Sequence, residues 1–182
     1  MKTRIITLIF IGILFCMTDM NAQTRFYDTN RTFNEQGFTY ISYVVSGGAM
    51  VHLHNKDHQW IGVTQRNRDG TEGNEIELPS PFQTNTAAQM RQLAHSIINN
   101  AFTPAEKQRI RGERLTIIMY VDSQTGRVDD VEFMFLRMRG FATIPVTTYR
   151  RIELELKERI QFIPTDAGRS RNFLMTRIVF EP

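Results

Sequence analysis

The sequence predicts an α+β fold: an N-terminal β-meander, an amphipathic helix, and a ββαβ unit with its helices packed on one sheet face. Three observations carry this. Two alternating apolar stretches, FTYISYVV and AMVHLH, flank Ser46-Gly47-Gly48, a hairpin signal. Met90, Leu93, Ala94, Ile97, Ile98, Ala101 and Phe102 recur at the three- and four-residue spacing of one helical face. Residues 102–182 then read as short helix, strand, turn, strand, helix and strand.

The chain opens MKTRIITLIFIGILFCMTDMNAQ. Lys2 and Arg4 precede an apolar run from Ile5 to Cys16, and Ala22 supplies a small residue at a cleavage point. This is a signal-peptide pattern over residues 1–22. About 12 apolar residues fall short of the roughly 20 that a bilayer span needs. An uncleaved anchor, or a lipid anchor through Cys16, is the alternative, though Phe15 is bulky where a lipid signal takes a small residue. The expected location is the periplasm or outside the cell, with no membrane span in the mature chain.

Cleavage after Ala22 removes the single cysteine, which excludes thiol catalysis and thiolate metal sites. Residues 23–83, rich in β signals, and 84–182 are expected to share one core, large enough to need no disulfide. The net charge is +3, and losing Lys2, Arg4 and Asp19 lowers it by one. The arginines are scattered rather than gathered with aromatics, which argues against a nucleic-acid partner.

Along the chain, residues 24–35 read as a polar, irregular or loosely paired start. Strands are expected from Phe38, through AMVHLH, and over Gln59–Arg66. The stretch RNRDGTEGNEIELPSPFQTN reads as loop. Thr84 to Thr86 offer caps for the long helix. Thr103, Pro104 and Glu106 form a capping-box signature, and Gly112 ends that short helix. Leu115, Ile117, Met119 and Val121 alternate with Thr116, Ile118 and Tyr120. Both faces are apolar enough for a central strand. DSQTGR is a turn with Gly126 at positive φ, and Val131, Phe133 and Phe135 line one face of the next strand. After Pro145, the stripe Val146, Tyr149, Ile152, Leu156 and Ile160 marks a second long helix. TDAGRSR is a turn, and Phe173–Phe180 is the last strand.

Particular motifs link residues 102–182 to a known family. FTPAEKQRIRGERL places Phe102, Pro104 and Gly112 before a strand. YVDSQTGRVDDVEFM supplies Val121, Asp122, Gly126, Val128 and Val131 in roles matching a V-D-x-x-G-x-V-x-x-V hairpin, with one more residue between Asp122 and Gly126. Arg159, Ile160, Gln161, Phe162, Ile163 and Pro164 end the second helix. In this order they resemble the C-terminal domain of TonB-type energy transducers, which makes the predicted unit TonB C-terminal-like. The resemblance implies binding by strand addition along Asn172, Phe173, Leu174, Met175, Thr176, Arg177, Ile178, Val179 and Phe180, with a protein segment of the cell envelope as partner. Met175 and Arg177 would then select the partner. The chain departs from a transducer in its cleavable leader, in having six prolines and no long Pro-rich spacer, and in Ile160, where the family has Trp. The implied role is therefore a free exported protein that reuses the fold. The whole chain also resembles small uncharacterised exported proteins of Bacteroides-type bacteria.

Other chemistry is weaker in the sequence. His52, His54 and His58, three of four histidines, with Asp57 beside them, have a spacing that suits zinc or copper. The plainer reading is a polar strand face entering a solvated turn. Asp129-Asp130 and Glu75/Glu77 read as solvated acids. Ser80, Ser96 and Ser170 carry no nucleophile signature. His95 reads as a helix-boundary residue and Trp60 as core. No catalytic residue and no cofactor is expected. The sequence leaves open whether the N-terminal strands join the C-terminal sheet and cover its last strand. The leader makes its own prediction: mass spectrometry of the exported protein should give an N-terminus at Gln23, and an intact Met1 would overturn the signal-peptide reading.

Overall fold

The structure, a computed structural model, describes residues 24–45, 47–71 and 80–182. The expected leader, Ser46, Glu75 and Glu77 lie outside them. One antiparallel sheet holds β1 (Arg31–Glu35), β2 (Phe38–Val44), β3 (Met50–Asn55), β4 (Leu115–Val121), β5 (Val128–Leu136) and β6 (Leu174–Phe180). Its strand order is β1-β2-β3-β5-β4-β6. The helices are α1 (Thr84–Ala101), α2 (Pro104–Ile110), α3 (Val146–Arg159) and the short α4 (Asp166–Arg169), with a 3-10 turn at Gly140–Thr143. Among the described residues, no helix is long and apolar enough to cross a membrane.

The expected meander is present but shifted one strand towards the N-terminus. The polar stretch read as irregular or loosely paired contains β1, whose only buried side chain is Phe33. Gln36 and Gly37, both at positive φ, make the tight turn into β2. One inward apolar residue in five gives too weak an alternation to register as a strand. Conversely, Gln59–Arg66 is not a strand. Its polar groups pair with the segment before β6 instead. Asn172 Oδ1 accepts the Arg66 N–H at 2.9 Å, Asn172 Nδ2 donates to the Thr64 carbonyl at 3.2 Å, and Gln65 Nε2 donates to the Phe173 carbonyl at 2.7 Å. Trp60 stacks on Phe173 with centroids 4.6 Å apart. Phe173 and Asn172 are thereby held by this loop, and the last strand begins at Leu174.

The helix signals are borne out in most details. Thr103 Oγ1 accepts the Glu106 N–H at 3.2 Å, and Glu106 Oε2 accepts the Thr103 N–H at 2.7 Å, closing the capping box around Pro104. The cap of α1 differs: Gln83 occupies it, with no side-chain bond, and Thr84 is already helical. TDAGRSR, expected as a turn, folds into α4, capped by Thr165.

α1 packs against α3 and β6, and α3 lies over β5. The core between helices and sheet is aromatic. Tyr149 of α3 stacks on Phe135 at 5.4 Å and tilts against Phe133 at 5.0 Å. Tyr27 meets Phe135 edge-on at 5.2 Å, which ties the N-terminal segment into the same core. The two phenols donate to carbonyls, Tyr149 to Phe141 at 2.8 Å and Tyr27 to Ile144 at 3.0 Å, so burial leaves neither hydroxyl unpaired. Glu153 of α3 is also buried. It accepts the Tyr40 hydroxyl from β2 and Arg150 Nη1 at 2.9 Å, with Lys157 Nζ at 3.7 Å. Burial and this carboxylate push the Tyr40 phenol far above its ordinary pKa.

Gly126 sits at φ +73, and a Cβ there would run into the Phe162 carbonyl. Gly112 has φ +71 with open space around it. Gly126→Ala should therefore cost about 3 kcal/mol in urea unfolding, and Gly112→Ala about 1 kcal/mol. Equal losses would show that the close approach does not hold this turn.

Candidate functional site

Two features of the sheet are open to function: its β6 edge and the face turned away from the helices. β6 pairs with β4 along its whole length, from Leu115 opposite Phe180 to Val121 opposite Leu174. Its other side has no strand partner among the described residues. The meander joins through β3 and β5, at the far side of the sheet from β6. Leu174, Ile178 and Phe180 are buried on the helix face. Met175, Arg177 and Val179 point the other way and are exposed, Met175 at 42% and Val179 at 37%. Of the nine residues expected to form the edge, Leu174 to Phe180 do so. Asn172 and Phe173 belong to the loop contact described above.

The opposite edge is built differently. β1 exposes Arg31, Thr32, Asn34 and Glu35 around the single buried Phe33. Charges on a short strand block edge-to-edge pairing. β6 carries one charge between two exposed apolar side chains. Its ends are also marked: the 64–68 loop meets residues 171–173 at one end, and Arg114 pairs with Glu181 at 2.7 Å at the other.

On the open face, alternation along β3 and β5 brings His52, His54, Asp130 and Glu132 together, and the turn after β3 adds His58. His54 lies opposite Glu132, and His52 lies opposite Met134 and Tyr43. Glu132 is buried and takes three donors: His52 Nδ1 at 2.6 Å, Tyr120 hydroxyl at 3.2 Å and Tyr43 hydroxyl at 3.4 Å. Tyr43 stacks on His52 at 4.8 Å. Burial first, then Glu132, pushes the Tyr43 phenol up to about 12. His54 and His58 rings meet edge-on at 5.7 Å, and His58 meets Tyr120 at 4.5 Å.

Asp130, expected to be solvated, is buried. It accepts the Gln59 N–H at 2.9 Å and lies 3.5 Å from His58 Nδ1 and 3.7 Å from Lys157 Nζ. β3 ends at Asn55, short of the position opposite Asp130, and Lys157 comes from α3. Asp129 is the unpaired residue where the β4–β5 register shifts. The two acids therefore do not face each other across a pocket, as acid–base catalysis requires.

The three histidines do gather, but their Nδ1 atoms are engaged. His52 Nδ1 bonds Glu132, and His54 Nδ1 bonds the Asn55 carbonyl at 2.8 Å. His58 Nδ1 accepts the Trp60 N–H at 3.1 Å. That acceptor role puts the proton of neutral His58 on Nε2, which is buried without a hydrogen-bond partner among the described residues. Among the described residues, no group of three or more His, Cys, Asp or Glu side chains is arranged to hold a metal ion. The sequence showed the histidines but not their partners: Tyr43, Tyr120 and Glu132 are brought in by cross-strand register. The one local signal was the Asp130-x-Glu132 alternation on a strand whose other residues, Asp129 aside, are apolar.

Burial, then His54, lowers the His58 pKa from 6.5 to about 4. The unfolded chain thus binds a proton that the folded chain refuses between these values. Stability from this group is complete above about pH 6.5 and falls as pH drops towards 4. His58→Gln should flatten that part of the melting-temperature profile, removing about 1–2 kcal/mol of pH dependence after solvent screening. An unchanged slope would place the titration elsewhere.

Residues 23–178 match the family model of DUF5043, a domain of unknown function. The crystal structure of a DUF5043 family protein from Bacteroides uniformis is similar over most of its length. It has a TM-score of 0.81 and 31% sequence identity, covering 87% of this chain and 89% of that one. A comparison with curated proteins finds no match. The matched span takes in both the meander and the C-terminal unit, and this chain belongs to the DUF5043 family.

Proposed function

We propose that this protein is an exported, non-enzymatic interaction module that takes an extended protein segment by strand addition to β6. One observation carries the reading: the two sheet edges differ, β1 being charged and short, and β6 presenting seven residues with Met175 and Val179 exposed. An edge strand offers unpaired N–H and C=O groups at alternate residues. An extended peptide satisfies them, while its side chains meet those of the outer strand.

The resemblance of residues 102–182 to the TonB C-terminal domain supports the same mode, and the leader-like N-terminus points to a partner in the envelope. The zinc or copper reading of His52, His54 and His58 has less support. His52 and His54 keep only Nε2 for a ligand bond, and His58 has its lone pair committed to Trp60.

Photo-reactive residues at positions 175 and 179, introduced in the native cell, should form an adduct that maps to an extended segment of one partner. The same residue in place of Thr32 on β1 should form none. Equal labelling at both edges, or full hydrogen-exchange protection of residues 174–180 in the isolated monomer, would remove the basis for strand addition.

A further inference from the structure

Strand addition leaves the occupant's chemistry unspecified, and the surroundings of β6 narrow it. Resting on that reading, we infer that the occupant is an acidic extended segment. It carries Asp or Glu opposite Arg177, with apolar side chains two residues away on each side, opposite Met175 and Val179.

Paired residues on neighbouring antiparallel strands point to the same face, and the pairing repeats every second residue. The open face of β6 therefore reads apolar, cationic, apolar: Met175, Arg177, Val179, all exposed. Arg177 lies opposite Ile118 on β4, so its inner neighbour brings no charge. Among the described residues Arg177 enters no ion pair. The helix beside the strand adds no acid either. α1 contains Arg91 and no Asp or Glu, and its His95 ring lies 6.3 Å from Phe180. The nearest acid along the chain, Glu181, is held by Arg114. A carboxylate opposite Arg177 thus meets a cation that no described carboxylate pairs; Glu132, next in the same row on β5 beyond Ile118, is held by His52, Tyr43 and Tyr120.

The same geometry disfavours a second copy of this chain. Two β6 strands related by a two-fold axis normal to the sheet pair residue n with its mirror position about a central residue. Only a centre at Arg177 uses all seven residues, and it sets Arg177 against its own copy. Like charges directly opposite are destabilising. A centre at Thr176 or Ile178 avoids this but leaves one end of the strand unpaired.

The test uses three synthetic peptides matched to β6 in length and identical except at the centre, which is Glu, Gln or Lys, with Val two residues away on either side. Fluorescence anisotropy gives affinity, and hydrogen exchange shows whether residues 174–180 become protected. The Glu peptide should bind about 2- to 5-fold tighter than the Gln peptide and roughly 10-fold tighter than the Lys peptide at low salt. Added salt should narrow the gap. Arg177→Glu should invert the order while leaving the melting temperature unchanged. If all three peptides protect β6 equally, the acidic preference is wrong and strand addition stands. If none protects it, both fail. A concentration-dependent dimer with protected β6 amides would make the second copy the occupant and overturn the inference.

Discussion

Both edges of β5 are occupied, by β4 on one side and β3 on the other, and the rest of the molecule follows from that constraint. Antiparallel pairing of β3 carries the N-terminal meander to the side of the sheet away from β6. The helix face of β5 supplies Phe133 and Phe135, against which Tyr149 and Tyr27 pack. Its other face supplies Asp130 and Glu132. One strand thus joins the two segments, seeds the aromatic core, and sets the meander on the side of the sheet away from β6.

The meander is tied to the C-terminal unit a second time through Glu153. A carboxylate withdrawn from water on α3 is costly unless it is paired. Here Tyr40, from β2, and Arg150 supply hydrogen bonds, with Lys157 nearby. The open face solves a similar problem with Glu132, which is surrounded by donors from β2, β3 and β4. These polar contacts join strands that are distant in sequence, and they reject a register slip that apolar packing alone would tolerate. A one-residue shift would send Glu132 into the aromatic core and Phe133 to the open face.

β6 was readable as a strand in the sequence because it follows a helix and a turn at the chain's end, and its alternation is clear: Leu174, Ile178 and Phe180 against Met175, Arg177 and Val179. Its starting point was not. Asn172 and Phe173 continue the pattern, yet they are claimed by Thr64, Gln65, Arg66 and Trp60, more than 100 positions away. The same contact explains why Gln59–Arg66 is a loop despite its strand-like letters. Its polar groups meet an asparagine side chain instead of a ladder. The histidines, likewise, were visible as a spacing, but their chemistry depends on Glu132 and on tyrosines from two other strands.

Local chemistry alone set much of this protein: the capping box at Thr103, the turn at Gly126, the apolar stripes of α1 and α3, and the inward and outward faces of β4 to β6. Each depends on residues within a few positions of one another, where backbone geometry leaves few choices. Long-range pairing settled the remainder: the strand order, the burial of Asp130 and Glu132, the union of the three histidines with their partners, and the side of β6 that has no strand partner among the described residues. A sheet brings together residues whose separation along the chain carries no spacing rule. Which edge stays open is therefore decided only when every other strand has found its neighbour.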